Sequence, residues 1–258
     1  MLGAIAGDMI GSPYEAQPIK TKEFPLFHSR STFTDDTVLT IAIGRAIMQA
    51  RDYAQVVREV GRRYPGAGYG GWFRRWLSSD DAGPYGSWGN GSAMRVSPVG
   101  WAFDSLERVL AEAEATAAIT HDHLEGIKGA QATALAVFGA RSNWSASRMR
   151  EEITSRFDYE LADNVDEIRP NYGFDVSCMG TVPPAVVCYL DAQDYEDAVR
   201  NAVSLGGDSD TLACIAGGIA EAGFGGVPEQ IRREVEARLP EELLQTVIEF
   251  RQEFILPD

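Results

Sequence analysis

The chain has 258 residues, with 23 Lys and Arg against 38 Asp and Glu, a formal charge of −15 and 45% hydrophobic residues. That balance repels polyanions, so nucleic acid and anionic membrane surfaces are excluded as default partners, and the composition is that of a globular protein with a substantial core. No stretch resembles a linker, which predicts one domain over residues 1–258.

In chain order, the run from Met1 to Asp8 is apolar, but no basic segment precedes it and Asp8 interrupts it, so it does not read as a secretory signal. Helical periodicity begins with Val38, Ile41, Ala42, Ala46 and Met48, after an acidic start. Helical stretches follow over residues 54–64 and 70–78, and a second clear stripe is Leu106, Val109, Leu110, Ala113 and Ala117. Further helices are predicted over 122–139, 145–156, 178–190, 194–203, 210–222 and 241–254. Strand alternation is absent, and no segment approaches the roughly 18 uninterrupted apolar residues of a membrane span. The expectation is an all-α fold, a compact bundle of about ten helices. Glycine-rich loops at 65–71, 83–91 and 206–207 punctuate it. Cys178, Cys188 and Cys214 are odd in number and lack C-x-x-C spacing, which predicts a reduced, cytoplasmic protein.

The stretch Gly66-Ala67-Gly68-Tyr69-Gly70-Gly71 satisfies G-x-G-x-x-G, but no strand precedes it, so a dinucleotide-binding fold is not expected. Two acidic motifs are more informative. Thr34-Asp35-Asp36-Thr37 stands directly before one apolar run, and Gly206-Gly207-Asp208-Ser209-Asp210-Thr211 directly before another. Helix capping by Thr34 or Ser209, with aspartates facing the helix dipole, would explain either motif alone. Capping needs a single acceptor, however, and each motif supplies two carboxylates beside hydroxyls. Ionised acids at buried helix starts repel one another unless a cation joins them, and neither motif contains Lys or Arg. If the helix starts converge, Asp35, Asp36, Asp208 and Asp210 match two divalent cations. All-oxygen donors favour Mg²⁺ or Mn²⁺.

These motifs, together with Gly7-Asp8-Met9-Ile10-Gly11-Ser12-Pro13-Tyr14-Glu15, Gly86-Ser87-Trp88-Gly89-Asn90-Gly91-Ser92-Ala93-Met94-Arg95 and Thr120-His121, resemble in order the signature of the ADP-ribosylglycohydrolases. The resemblance covers residue 3 to about residue 226. It implies an orthogonal all-α fold, a binuclear Mg²⁺ or Mn²⁺ centre, and hydrolysis of the bond between ADP-ribose and an acceptor. It further implies Thr34, Asp35, Asp36, Asp208, Asp210 and Thr211 as metal ligands. Glu15 becomes the acid/base or gate over the metals, with Asp35 and Asp36 the other candidates for proton chemistry. Gly86, Ser87, Trp88, Gly89 and Asn90 become the loop for the diphosphate and distal ribose, and His121 a substrate-side histidine. A glycine-rich loop can cradle a diphosphate with backbone N–H groups alone, which suits an acidic protein. Trp88 or Tyr85 is equally a stacking residue or core. His121 and His123 also read as a capped helix start, and the loop from Tyr172 to Cys178 is either a cleft wall or a helix cap. Ser209 stands where a threonine is common in the family, and Trp88 where some members have tyrosine.

Two other functions use the same residues. A two-metal nucleotide phosphohydrolase would direct water at phosphorus, and a catalytically silent relative would bind ADP-ribose without turnover.

Overall fold

The computed structural model describes residues 1–256, and fifteen helices with no named strand are found among them. The first six are α1 (Leu2–Glu15), α2 (Asp35–Met48), α3 (Tyr53–Arg63), α4 (Gly71–Leu77), α5 (Gly91–Met94) and α6 (Ser97–Ala102). Next come α7 (Leu106–Ala118), α8 (Leu124–Arg141), α9 (Ala146–Phe157), α10 (Val165–Ile168) and α11 (Cys178–Leu190). The chain continues through α12 (Tyr195–Ser204), α13 (Ser209–Gly223), α14 (Glu229–Glu236) and α15 (Glu241–Phe254). The all-α expectation holds, and each of the ten predicted helices is present with small shifts at its ends. The helices α1, α5, α6, α10 and α14 were not expected from periodicity. None of the helices is long and apolar enough to cross a membrane.

Small residues decide how the centre packs. Gly3, Gly7 and Gly11 recur at every fourth position of α1 and so share one face. They meet a matching series on α13: a Cβ on Gly3 would stand 2.3 Å from the Gly217 carbonyl oxygen, on Gly7 1.9 Å from that of Ala213, and on Gly11 2.3 Å from that of Ser209. Rising numbers on one helix pair with falling numbers on the other, so the two run antiparallel, backbone against backbone. The C-terminal end of α1, with Glu15, is thereby delivered to the N-terminal end of α13, with Asp208 and Asp210. Every residue of α13 from Ser209 to Glu221 is buried, with α1, α8, α11 and α12 packed around it.

Two loops are tied together above this centre. The Asn90 N–H donates to the Val176 carbonyl at 2.8 Å and the Cys178 N–H to the Trp88 carbonyl at 3.1 Å, forming an isolated antiparallel bridge between Gly89 and Ser177. The Lys20 ammonium fastens a third segment, donating to the carbonyls of Arg169 (2.9 Å), Tyr172 (2.6 Å) and Leu205. Beside it Gly206 turns the chain into α13 at φ +64, a conformation that favours glycine, and a Cβ there would stand 2.7 Å from the Ile19 carbonyl.

Candidate active site

Thr34 is extended and caps α2, its hydroxyl oxygen accepting the Asp36 N–H at 3.3 Å. Capping accounts for that hydroxyl but not for the two acids that follow. What fixes the helix start is Asp8, which lies wholly buried on α1. Its Oδ2 accepts the backbone N–H groups of Thr34 (2.9 Å) and Thr37 (3.1 Å) and the Thr37 hydroxyl, and its Oδ1 accepts the Thr34 hydroxyl at 2.8 Å. One carboxylate thus satisfies donors that a helix N-terminus leaves orphaned.

At the second motif Asp208 is the N-cap of α13 but makes no capping hydrogen bond with its side chain, and the Ser209 hydroxyl turns back to the Gly207 carbonyl at 3.1 Å. The Asp208 carboxylate is therefore free of capping duty, and Asp210 gives one oxygen, Oδ1, to the Thr211 N–H at 3.0 Å. Oxygens of Asp8, Asp36 and Asp210 lie within 4.8 Å of one another, as do oxygens of Glu15, Asp208 and Asp210, so Asp210 belongs to both groups. Asp35 lines the same cleft, and the Thr211 hydroxyl donates to Asp36 Oδ2 at 3.4 Å. Thr34, Asp35, Asp36, Asp208, Asp210 and Thr211 are thus brought together from two helix starts 174 residues apart in sequence (Asp35 to Ser209).

The electrostatics describe an unneutralised cluster. Burial, and then the charge of Asp8, holds Asp36 well above the usual carboxylate range; burial and then Asp36 do the same to Asp210. Burial and the Asp8 charge push Asp35 up to about 7, and burial raises Asp8 itself to about 6 against its hydrogen bonds. Asp208 is raised by burial, and Glu15 by burial followed by the charge of Asp208. Asp36 Oδ1 is buried with no hydrogen-bond partner among the described residues. An orphaned carboxylate oxygen among oxygen-only donors, with no cationic side chain paired to these acids among the described residues, fits a hard divalent cation.

Above the acids opens a cleft of about 460 Å³, within the range of small-molecule sites. Glu15 stands at its edge, and Ser87, Gly89, Asn90 and His121 form part of its wall. Gly86 and Trp88 do not line it. The Gly86 N–H is taken by Asp122 Oδ1 at 2.7 Å, and the Trp88 side chain is 53% exposed. Asn90 serves the acids as well, its amide donating to Asp208 Oδ2 at 2.8 Å and to the Thr181 hydroxyl at 3.1 Å. Phe174 and Val176 line the cleft, so the Tyr172–Cys178 segment is a wall, while Ser177 also caps α11.

Sequence reasoning passed over four features. Asp8 was read as an interruption of an apolar run and as a member of the Gly7–Glu15 motif, with no role of its own; an acid in a helix otherwise apolar from Leu2 to Ile10 and buried from Leu2 to Gly11 was the available signal. Gly68, Gly70 and Gly71 line the cleft as loop and helix start, outside any dinucleotide fold. Trp72, two-thirds exposed, lies in near-parallel contact with Tyr85 at 6.4 Å, so Tyr85 rather than Trp88 belongs to the aromatic surface of the cleft. Arg95 is the one cationic side chain lining the cleft among the described residues.

An all-α protein whose buried acids floor a glycine-walled cleft is defined by these features. The chain belongs to the ADP-ribosylglycohydrolase family, whose model matches residues 1–255. It is 26% identical to mouse ADP-ribosylhydrolase ARH3 over 318 aligned positions, covering 92% of this chain and 86% of that protein. For the human ADP-ribosylhydrolase ARH3 the identity is 27%, with 92% and 88% covered. A solved structure described as an ADP-ribosylglycohydrolase-related protein complex shares the fold with a TM-score of 0.70 at 20% identity, covering 97% of this chain and 96% of that one. Family membership makes the protein a glycohydrolase of the class acting on ADP-ribosylated substrates.

Proposed function

We propose that the protein hydrolyses the glycosidic bond between ADP-ribose and an acceptor, reversing ADP-ribosylation, with two Mg²⁺ or Mn²⁺ ions held by Thr34, Asp35, Asp36, Asp208, Asp210 and Thr211. The observation that carries this reading is the buried, cation-free carboxylate cluster, with its orphaned Asp36 oxygen, on the floor of a ligand-sized cleft. Bound there, divalent cations supply Lewis acidity toward ribose hydroxyls and water.

The chain's own groups divide the remaining tasks. Asp8 holds α2 through Thr34 and Thr37, which keeps Asp35 and Asp36 in register with Asp210. Ser87, Gly89 and Asn90 receive the diphosphate and distal ribose along the loop, and the Trp72–Tyr85 surface offers an apolar face to a base or sugar. Glu15 sits at the cleft edge with its carboxyl raised, which favours holding a proton for the leaving group or taking one from water. In the reaction the C1″–acceptor bond breaks, a water oxygen bonds to C1″, and the acceptor leaves with a proton.

The test is product analysis with ADP-ribosylated peptides and Mg²⁺ or Mn²⁺ in ¹⁸O water. Free ADP-ribose labelled at C1″ is expected. Label on phosphorus would replace this reading with a phosphohydrolase, and ADP-ribose binding without turnover would leave a silent binding protein. A panel of arginine, serine and nucleobase linkages then assigns the acceptor.

A further inference from the structure

Arg95 is the C-cap of α5 and fully buried, with no carboxylate partner among the described residues. Its Nη2 donates to the Thr116 carbonyl at 2.7 Å and to the Thr120 hydroxyl oxygen at 2.9 Å, while Nε and Nη1 have no partner. Burial lowers it to about 10, so it stays cationic near neutrality. Thr120 Oγ1 in turn lies 2.7 Å from His121 Nδ1. The imidazole is buried, and its Nε2 faces the glycines of the cleft wall. A Cβ on Gly91 would stand 3.0 Å from it and one on Gly89 3.8 Å.

Donor counting orients this chain. A guanidinium only donates, so Thr120 Oγ1 must accept from Arg95, and its own hydrogen remains to be placed. Among the described residues His121 Nδ1 is the one other group recorded within hydrogen-bond distance of that hydroxyl. Burial, and then the Arg95 charge, hold His121 well below the usual histidine range, so the ring is neutral with one N–H. Were that hydrogen on Nδ1, the hydroxyl hydrogen would be buried without an acceptor, which costs more than a made bond returns. Nδ1 therefore accepts and Nε2 carries the hydrogen.

We infer that Arg95, acting through Thr120, fixes His121 as its Nε2–H tautomer, so that the cleft wall beside Gly89 and Gly91 presents a neutral N–H donor to an oxygen of the bound substrate. Arg95 and Thr120 are positioning residues, and His121 is neither a metal ligand nor a general base, since both roles need a lone pair on Nε2. The identity of the oxygen, on the diphosphate or distal ribose, rests on the function proposed above; the tautomer does not.

The chain contains three histidines, so ¹⁵N-histidine spectra of the full protein are tractable, with His121→Gln giving the assignment. The expected signature at His121 is a pyrrole-type Nε2 and a pyridine-type Nδ1. Thr120→Val should mix the tautomers and weaken ADP-ribose binding by about three- to tenfold, the worth of one neutral hydrogen bond, and Thr120→Ser should restore both. A protonated Nδ1 or an imidazolium in the wild type would overturn the inference, as would a folded Thr120→Val protein with an unchanged tautomer or unchanged affinity. If Thr120→Val does not fold, the wild-type and Thr120→Ser spectra decide the tautomer. A wild-type protein that shows the Nε2–H signature but binds no ADP-ribose would retire the proposed function and keep the relay.

Discussion

Asp8 and Asp36 are both buried carboxylates, yet their loss should have opposite effects on the metal-free protein. Asp8 accepts four donors, so Asp8→Ala leaves the buried backbone N–H of Thr37 and the half-buried one of Thr34 unpaired; a loss of about 2 kcal/mol in urea denaturation is expected. Asp36 has one oxygen with no partner and is held far above the carboxylate range by burial and neighbouring charge. Asp36→Ala should leave metal-free stability unchanged or higher. Both variants should fail to bind Mg²⁺ or Mn²⁺ in calorimetry, and so should Asp210→Ala, with the helical far-UV spectrum retained. Normal metal binding in Asp36→Ala and Asp210→Ala would remove the acids from the site. At the cleft edge, Glu15→Gln keeps the shape and removes the proton acceptor. Turnover should fall about 10²- to 10⁴-fold with metal stoichiometry intact, and undiminished turnover would leave the proton chemistry to Asp35 and Asp36. The acids at the two helix starts were legible because each pair carries more carboxylate than a cap can use. Asp8 and Thr120 were not legible as linking residues, because their meaning lies in partners fixed by the fold, Thr34 and Thr37 for one and Arg95 for the other.

At the scale of elements, the pairing of α1 with α13 aligns the site, and glycine permits it. Gly7→Ala would drive a Cβ to 1.9 Å from the Ala213 carbonyl oxygen, which neither backbone can yield without moving apart. The expected cost exceeds the gain of about 1 kcal/mol in helix propensity by a wide margin, with a net loss of about 3 kcal/mol or more. Chemical denaturation measures it, and a Gly7→Ala protein of wild-type stability would show that the helices are not in backbone contact. This same feature hid α1 from the sequence. Gly3, Gly7, Gly11 and Pro13 are poor helix formers, and the four-residue spacing of the three glycines becomes a packing face only beside Gly217, Ala213 and Ser209. The helix α14 was missed for another reason, since its eight residues are mostly charged and bury only Ile231 and Val235. The short helices α5, α6 and α10 have too few residues to display a period. Long amphipathic elements such as α7, with Val109, Ala113 and Ala117 inward, were readable because burial alone dictated their pattern.

Over the whole molecule, the raised carboxyls couple stability to pH and to metal with a definite sign. In the metal-free fold Asp8, Asp35, Asp36, Asp208, Asp210 and Glu15 all hold protons more tightly than in the unfolded chain. Between about pH 4, where unfolded Asp ionises, and about 7, where Asp35 does, the folded state binds more protons than the unfolded one. Stability therefore falls as pH rises through that window. The net charge of −15 adds self-repulsion of the same sign. A divalent cation takes the place of those protons, so it competes with them at low pH and relieves the repulsion at high pH. Metal-free protein should melt at a lower temperature at pH 8 than at pH 5.5. Saturating Mg²⁺ or Mn²⁺ should raise the melting temperature by several degrees at pH 8, on the order of 2.7 kcal/mol at a hundredfold excess over Kd, and by much less at pH 5.5. The Asp36→Ala protein separates the site from general acidity: it should keep the part of the pH slope due to net charge and lose the metal response. A metal response of equal size at both pH values, or one that survives in Asp36→Ala, would show that the cation binds somewhere other than these carboxylates.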